Sequence, residues 1–376
     1  MTQTLWVSCK LQVPFKVRPE IERTLEGFAN ACNQILAVAL REKCYNTNKL
    51  HHLVYNPVRE ATGLKANHVC QAIRRVVGNL KATRQIKKFR PTSINLDIRT
   101  FRYIEAEQLA GVTLISGRVN FKLLIGNYQL ALLKGQQPTS ATLVKRRNGD
   151  YYISIAIELD TPPTGKTPKV VGVDLGRRDI ASTSTGQTWN GNQLQATRDR
   201  YSRVRTSIQK RKRTRSSRRL LRRLSGRESR FQKSINHQIS KTLVQTAKHL
   251  NAAIAFEDLT GIRDSLNQKP RTKTERRRTN NWAFYQLQIF TEYKAKIAGI
   301  PLVLVPAPYT SQTCSRCRHI GVRNNKSFKC GHCGLKADAD LNAAYNIAAL
   351  GVAVSQPGSS TMCCLLSGQM SFLCNT

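Results

Sequence analysis

The sequence predicts a chain of two parts, an N-terminal β domain with a helical insert and a C-terminal α/β domain that contains a small metal-binding module. Three observations predict this organisation. The first 160 residues change from a strand pattern to a helical pattern and back, and short buried strands then alternate with long helices. Two closely spaced cysteine pairs follow near residue 320.

The N-terminal part is predicted from the period of its apolar residues. Residues 5–13 have an apolar side chain at every second position, which is typical of a strand, and residues 19–88 have them three and four positions apart, which is typical of helices. Residues 93–160 return to short alternating runs with turn signals such as Asn148-Gly149-Asp150. We therefore expect one β domain from residues 1–16 and 93–160, with a helical bundle at 17–92 inserted into it.

The C-terminal part follows a linker at residues 161–169, where three prolines occur. Short apolar runs predict strands that end at Asp174 and at Glu257, and residues 198–250 predict a long helical hairpin that turns near Ser225-Gly226. The last helix is expected from Asp340 to Leu350, with Gly351 as its stop signal, followed by a disordered tail at 352–376.

The charge of the chain indicates its partners. Sixty-one Lys and Arg stand against 22 Asp and Glu, a formal net charge of +39, and an excess of this size is typical of proteins that bind nucleic acid. No apolar run reaches the roughly 18 residues of a membrane span, and the first residues do not form a secretory signal. We expect a cytoplasmic protein that associates with the nucleoid when it binds DNA, with no membrane partner.

The basic residues concentrate in the predicted hairpin, where 16 of the 36 residues from Arg198 to Lys233 are Lys or Arg. Such runs are often only solvated, but here an apolar stripe that includes Leu220, Leu224 and Ile239 favours folded helices that grip a phosphate backbone. The candidate nucleic-acid contacts are Arg205, Lys210, Arg211, Lys212, Arg213, Arg215, Arg218, Arg219, Arg222 and Arg223, with Arg74 and Arg75 on the helical insert.

Three carboxylates are candidates for a catalytic metal site. Asp174 and Glu257 each end an apolar strand, and Asp340 opens a helix, so the three can meet at one edge of a sheet. Such an oxygen-rich set suits Mg²⁺, and two ions held by it can support phosphodiester hydrolysis. A single carboxylate of this kind is more often a loop residue or a helix cap, and Asp338 competes with Asp340 for the third place.

The cysteines predict a second, structural metal site. Cys314-x2-Cys317 and Cys330-x2-Cys333 are separated by twelve residues, which fits a tetrahedral Cys₄ zinc site on two knuckles. Four thiolates close the coordination sphere, so this zinc would be structural and not catalytic.

The motifs of residues 170–350 closely resemble the TnpB family of transposon-encoded proteins, relatives of the compact type V CRISPR effectors. The resemblance rests on four segments: 172–176 (GVDLG), 256–259 (FEDL), 310–334 with both cysteine pairs, and 338–347 (DADLNAAYNI). Arg318 departs from the pattern, since a glycine usually follows the first cysteine pair. Asp174, Glu257 and Asp340 fall on the family's catalytic positions, and the four cysteines fall on its zinc ribbon.

This resemblance implies a specific architecture and activity. The C-terminal part would be a RuvC-like nuclease domain of the RNase H fold at 170–307 and 338–351, with a zinc ribbon at 308–337. The N-terminal part would be a wedge-like β-barrel that carries a helical recognition insert. The implied activity is RNA-guided, Mg²⁺-dependent cleavage of double-stranded DNA beside a short adjacent motif, by a monomer with one guide RNA from the element end. The alternatives are a guide-independent recombinase or transposition accessory protein, a nuclease-inactive RNA-guided repressor, and a basic RNA-binding module with a structural zinc.

Overall fold

The structure is a computed structural model that describes residues 2–83, 85–165, 167–210, 214–262, 266, 268, 270 and 272–355. Within these residues the chain divides into two compact units, residues 2–160 and a unit that begins at Thr161. None of the described helices has both the length and the apolar character of a membrane span.

The N-terminal unit is built on one antiparallel sheet of seven strands in the order β2-β6-β7-β1-β5-β4-β3. The long β1 pairs with β7 through most of its length and then with β5. The strands are β1 (Thr2–Gln12), β2 (Ser93–Leu96), β3 (Phe101–Ile104), β4 (Leu109–Thr113), β5 (Arg118–Leu124), β6 (Ser140–Lys145) and β7 (Tyr151–Asp160).

The resemblance implied a closed barrel, and the described strand pairings do not complete one. Strands β2 and β3 are the two ends of the strand order, and no ladder joins them among residues 2–160 as described. The sheet is therefore open between these two short strands.

Three helices lie between β1 and β2: α1 (Arg18–Arg41), α2 (Thr47–Thr62) and α3 (Ala66–Ala82). These segments form helices because their apolar residues recur at helical spacing and can be buried on one face. The side chain of Asn46 caps α2 by accepting from the N–H groups of Asn48 and Lys49. The buried faces of these helices and of the sheet share one apolar core. A short helix, α4 (Asn127–Leu133), follows β5.

The C-terminal unit contains a five-stranded mixed sheet in the order β10-β9-β8-β11-β12. Its strands are β8 (Lys169–Asp174), β9 (Asp179–Thr183), β10 (Thr188–Asn190), β11 (Ala252–Asp258) and β12 (Leu302–Pro306). Strand β11 is an interior strand and pairs in parallel with β8 and β12. Like most strands buried on both faces it is almost entirely apolar, and its residues from Ala252 to Glu257 are all buried.

Among the described residues of this unit, the named helices are α5 (Asn192–Lys210), α6 (Arg215–Leu224), α7 (Arg227–His249), α8 (Lys273–Asn280), α9 (Phe284–Ile297) and α10 (Ala339–Ser355). The expected hairpin thus contains three described helices, and its turn at Ser225-Gly226 separates α6 from α7. A second, small sheet is formed by β13 (Val322–Asn324), β14 (Ser327–Lys329) and β15 (Lys336–Asp338).

The expected end of the last helix at Gly351 was wrong, because α10 continues to Ser355. A side-chain carbon on Gly351 would lie 2.7 Å from Ala255 Cβ and 2.8 Å from Val170 Cγ1. The glycine therefore permits close packing of the helix on β8 and β11 and does not terminate it. Residues 352–355 are helical, and the rest of the expected tail, 356–376, lies outside the described residues.

Candidate active site and zinc module

Two neighbouring parallel strands bring Asp174 and Glu257 to the same edge of the sheet. In the ladder between β8 and β11, Val173 pairs with Phe256, so Asp174 and Glu257 lie one residue further along their strands. Residues in register on adjacent strands point to the same face of the sheet, so both side chains project the same way. Asp258 points to the other face, is exposed, and accepts from the N–H and hydroxyl of Thr260.

Helix α10 brings the third carboxylate to this edge. It packs on β8 so closely that a side-chain carbon on Gly172 would lie 2.1 Å from Ala344 O and 2.4 Å from Ala348 N. Asp338 Oδ1 accepts from the N–H groups of Asp340 (2.9 Å) and Leu341 (3.1 Å), so Asp338 caps the helix. Asp340 therefore does not serve as the cap, and its carboxylate is buried at the site.

The three carboxylates interact electrostatically. Burial raises the pKa of Asp174 well above its usual range, and the charges of Glu257 and Asp340 raise it further. Burial also raises the pKa of Glu257 and of Asp340. Negative charge is thus costly here without a cation, and an all-oxygen donor set of this kind fits a hard divalent ion such as Mg²⁺.

The three carboxylates lie further apart than the ligands of one preformed ion site. Among the described residues, their oxygen atoms do not all lie within 4.8 Å of one another. Two neighbours hold them instead. Arg323 Nη2 donates to Asp340 Oδ1 at 2.7 Å, and the hydroxyl of Thr310 donates to Glu257 Oε1. The charge of Arg323 opposes the rise in the pKa of all three carboxyl groups.

Arg323 is a site residue that the sequence reasoning missed. It lies on β13, inside the cysteine-bearing segment, which the spacing marked only as a structural metal module. Nothing in its immediate sequence sets it apart from the chain's many other basic residues. Its role is visible only because β13, β14 and β15 form one small sheet that leads directly into α10 and Asp340.

The four predicted zinc ligands are brought together. All four sulfur atoms lie within 4.8 Å of one another, with Cys314 Sγ 3.6 Å from Cys333 Sγ and Cys317 Sγ 3.5 Å from Cys330 Sγ. Tetrahedral zinc thiolates have sulfur atoms about 3.8 Å apart, so the cluster fits a zinc ion. The N–H of Cys333 donates to Cys330 Sγ, and a hydrogen bond of this kind favours the thiolate form that binds metal.

Two asparagines on one face of α10 attach the first cysteine knuckle to the helix. Asn346 Nδ2 donates to Thr310 O (2.8 Å) and Thr313 O (2.6 Å), and Asn342 Nδ2 donates to Thr313 O (2.8 Å). Arg318 donates to Asn346 Oδ1 at 2.6 Å. The cysteine module and Asp340 are therefore held by the same helix.

Arg318, the departure from the family pattern, has a left-handed backbone with φ of 64°. Glycine adopts this conformation at least cost, which gives a physical reason for a glycine at this position. The hydrogen bond from Arg318 to Asn346 offsets part of that cost, and the four thiols nevertheless come together.

The candidate nucleic-acid residues differ in their surroundings. No residue of α6 is buried, and its five arginines, which are Arg215, Arg218, Arg219, Arg222 and Arg223, are all exposed, as are Lys210 and Arg74. Arg205 pairs with Glu228 at 2.6 Å. Arg211, Lys212 and Arg213 lie outside the described residues.

Arg75 is committed to contacts within the protein, contrary to its expected place on a free basic surface. Its guanidinium donates to Asn95 Oδ1 at 2.5 Å and to Ser93 O at 2.7 Å, and it lies 4.8 Å from the centre of the Phe28 ring. Arg75 thus ties α3 to β2, and burial lowers its pKa.

A basic cleft of about 460 Å³ opens beside Asp340. Four of its lining residues are cationic and two are acidic, Asp179 and Asp340. The cationic residues are Arg177, Arg178, Arg323 and Lys326. None of these four residues was among the candidate site residues predicted from the sequence, although Arg177 and Arg178 directly follow the motif that contains Asp174.

Comparison with known proteins identifies the family. The sequence model described as "Probable transposase" matches residues 154–260, and "Cas12f1-like, TNB domain" matches residues 284–347. The TnpB-like protein MJ0751 of Methanocaldococcus jannaschii is 32% identical over 265 residues, which cover 65% of this chain and 90% of that protein. The CRISPR-associated endodeoxyribonuclease Cas12f1 of Sulfoacidibacillus thermotolerans is 41% identical over 122 residues, 31% of this chain but only 27% of that longer protein.

A solved structure shares the fold. The structure of a Cas12f1–sgRNA–target DNA complex superposes with a TM-score of 0.62 at 15% identity, and the match covers 92% of this chain and 83% of that one. This chain therefore shares the fold of the Cas12f1 protein in that complex. The 32% identity to MJ0751 extends over 90% of that protein, and the chain therefore belongs to the TnpB family.

Proposed function

We propose that this chain is an RNA-guided, Mg²⁺-dependent DNA endonuclease of a transposon, which cleaves target DNA next to a short adjacent motif. The observation that carries the proposal is the convergence of Asp174, Glu257 and Asp340 from two parallel strands and a helix, with the pKa of Asp174 raised by both partners. A solvated loop acid or a helix cap would not be buried against two further carboxylates.

In this proposal the three carboxylates hold the catalytic Mg²⁺ ions. Bound there, the metal would supply an activated water and would neutralise charge on the leaving 3′ oxygen. Thr310 orients the Glu257 carboxylate, and the N-cap at Asp338 leaves Asp340 free to face the site. Arg177 and Arg178, two of the cationic residues of the cleft, would neutralise the phosphates on either side of the scissile bond.

The proposed partners are a guide RNA and double-stranded DNA. A relative is named an endodeoxyribonuclease, and the structural neighbour was solved with a guide RNA and target DNA. The net charge of +39 is suited to two nucleic acids at once, and the exposed arginines of α6 offer a surface for a phosphate backbone. We propose that the N-terminal sheet and its helices act as wedge and recognition domains.

The carboxylate site can be tested with matched controls from the same strand and helix. We expect Glu257→Gln and Asp340→Asn to lower the rate of DNA cleavage in Mg²⁺ by at least about 10³-fold, since each removes a metal ligand worth several kcal/mol. Their neighbours Asp258→Asn and Asp338→Asn should cleave at nearly the wild-type rate, because Asp258 faces away and asparagine also caps helices. Equal losses in all four variants would refute the assignment.

The guide is tested by copurification from cells that carry the native locus, followed by sequencing of the bound RNA. The proposal predicts one discrete RNA from the adjacent element end. A mixture of unrelated cellular RNAs would sink the guided mechanism and leave the nuclease site standing.

The match to a model described as a probable transposase favours one alternative, a guide-independent recombinase with the same metal site. That protein would cleave element-end DNA in Mg²⁺ after complete removal of RNA. The guided nuclease would lose cleavage on the same treatment and regain it when the RNA is restored.

A further inference from the structure

We propose that the ion pair between Asp179 and Lys326 is a positioning device for the cleavage reaction, which fixes the β13–β14 hairpin against the nuclease sheet so that Arg323 stays at Asp340. The inference rests on the proposed function, because it concerns the same carboxylate site. Neither Asp179 nor Lys326 was marked by the sequence motifs as a site residue.

Asp179 lies at the same end of the sheet as the catalytic candidates. Strand β9 runs antiparallel to β8, with Asp174 paired to Ser182, and the tight turn at Gly176 returns the chain so that β9 begins at Asp179. A side-chain carbon on Gly176 would lie 2.5 Å from Asp179 O, so this turn has no room for a larger residue. The Asp179 side chain is only 7% exposed.

A carboxylate as buried as Asp179 requires a cation, and Lys326 provides it. Lys326 Nζ donates to Asp179 Oδ2, and this contact raises the pKa of Lys326. Removing one member of such a pair leaves a buried charge uncompensated, so the structure around it must shift or admit water.

Lys326 sits at the turn of the β13–β14 hairpin, three residues after Arg323. Asn325, at the same turn, has a left-handed backbone with φ of 52°, which makes the reversal tight. Lys326 O also accepts from Ala339 N at 2.7 Å, directly before Asp340. The residue therefore contacts both the nuclease sheet and the start of α10.

The hairpin and Asp340 are linked a second time through the small sheet. In the ladder between β14 and β15, Ser327 pairs with Asp338, two residues before Asp340. Arg323 lies on the same hairpin as Lys326 and donates a hydrogen bond to Asp340 on α10. A displacement at Lys326 would therefore move both Arg323 and Asp340. Loss of Lys326 would also leave the buried charge of Asp179 without its counter-ion.

The competing role for Lys326 is a direct contact with a DNA phosphate, since it lines the basic cleft and is 47% exposed. The two roles predict opposite behaviour of Asp179→Asn. A positioning pair is broken from either side, so Asp179→Asn should resemble Lys326→Met. A phosphate-binding lysine would be released by Asp179→Asn, and DNA binding would stay the same or strengthen.

The experiment compares Asp179→Asn, Lys326→Met, their double variant, Lys326→Arg and the exposed control Lys336→Met, each as the full chain loaded with its copurified RNA. Single-turnover cleavage and target-DNA affinity are measured separately, with zinc content and hydrogen exchange of the 322–329 amides. We expect the cleavage rate to fall 10- to 100-fold in both Asp179→Asn and Lys326→Met, which is on the order of the loss caused by a misplacement of about 1 Å between catalytic groups. The double variant should show no further loss.

In the same variants we expect unchanged DNA affinity and zinc content, faster exchange in the hairpin, and rescue by Lys326→Arg. Wild-type cleavage by Asp179→Asn, or weakened DNA affinity confined to the Lys326 variants, would overturn the positioning role. Asp174→Ala in the same series separates the two claims. If Asp174→Ala still cleaves DNA, the proposed function is refuted. If Asp174→Ala does not cleave DNA but Asp179→Asn and Lys326→Met cleave it at the wild-type rate, only the positioning role of the ion pair is refuted.

Discussion

Gly172 sets how closely helix α10 approaches strand β8, and a methyl group at this position should displace the helix that presents Asp340. The side-chain carbon of Gly172→Ala would lie 2.1 Å from Ala344 O and 2.4 Å from Ala348 N, both of them backbone atoms that cannot rotate away. Ordinary contact begins at 3.4 Å, so the helix must move by about 1.3 Å at this point.

Such a displacement has two separable costs. Overpacking of this kind typically costs about 1–3 kcal/mol, so the melting temperature of the C-terminal unit should fall by several degrees. Gly172 also lies two residues before Asp174, and Asp340 lies one turn before Ala344 on α10. A shift of about 1 Å between catalytic groups can cost about 100-fold in rate, and we expect a loss of that order in DNA cleavage.

The assay is thermal unfolding together with Mg²⁺-dependent cleavage of target DNA by the RNA-loaded protein. Gly78→Ala is the matched control, because a side-chain carbon there meets nothing within 4 Å inside helix α3 and should stabilise that helix slightly. Gly172→Ala with an unchanged melting temperature and cleavage rate would refute the packing argument. Reduced stability with full cleavage would refute the link between helix position and activity.

Three further predictions concern buried polar groups and the cysteines. Asn346→Ala removes three hydrogen bonds and should destabilise the C-terminal unit by about 3 kcal/mol in urea unfolding; a change below about 1 kcal/mol would contradict its anchoring role. Cys330→Ser should lower the zinc content, measured by elemental analysis, to well below one ion per chain, and it should also lower the melting temperature. Full zinc content in this variant would count against the Cys₄ site. His68 is fully buried, and burial lowers its pKa to about 4. The unfolded chain therefore binds the extra proton first, so wild type should lose about 1.4 kcal/mol per pH unit relative to His68→Leu as the pH falls from about 6.5 to 4, and parallel stability curves would exclude this.

The elements that local pattern dictates were predictable from the sequence. The spacing of apolar residues alone predicted β1 and α1, because in each element one face is buried and the spacing of that face differs between strands and helices. The ends of β8 and β11 followed from short apolar runs that stop at Asp174 and Glu257. The cysteine spacing likewise predicted a cluster that the structure brings together.

Features that depend on contacts distant in sequence were not predictable. Gly351 looks like a helix stop, and only the nearness of Ala255 and Val170 shows that it serves close packing. The sequence favoured Asp340 over Asp338 only because residues 341–344 continue directly into a helix, and the hydrogen bonds of the helix start now distinguish the cap from the buried carboxylate. Arg323 is one arginine among many until the small sheet places it at Asp340.

In the proposed function, the three carboxylates form the site at which DNA is cleaved, and a bound RNA selects the target. The most direct test of this function is cleavage of DNA complementary to the copurified RNA, in Mg²⁺, by wild type and by Asp174→Asn. We expect cleavage by wild type, and normal DNA binding without cleavage by Asp174→Asn. Equal cleavage by the two proteins, or binding without cleavage by both, would contradict the proposed function.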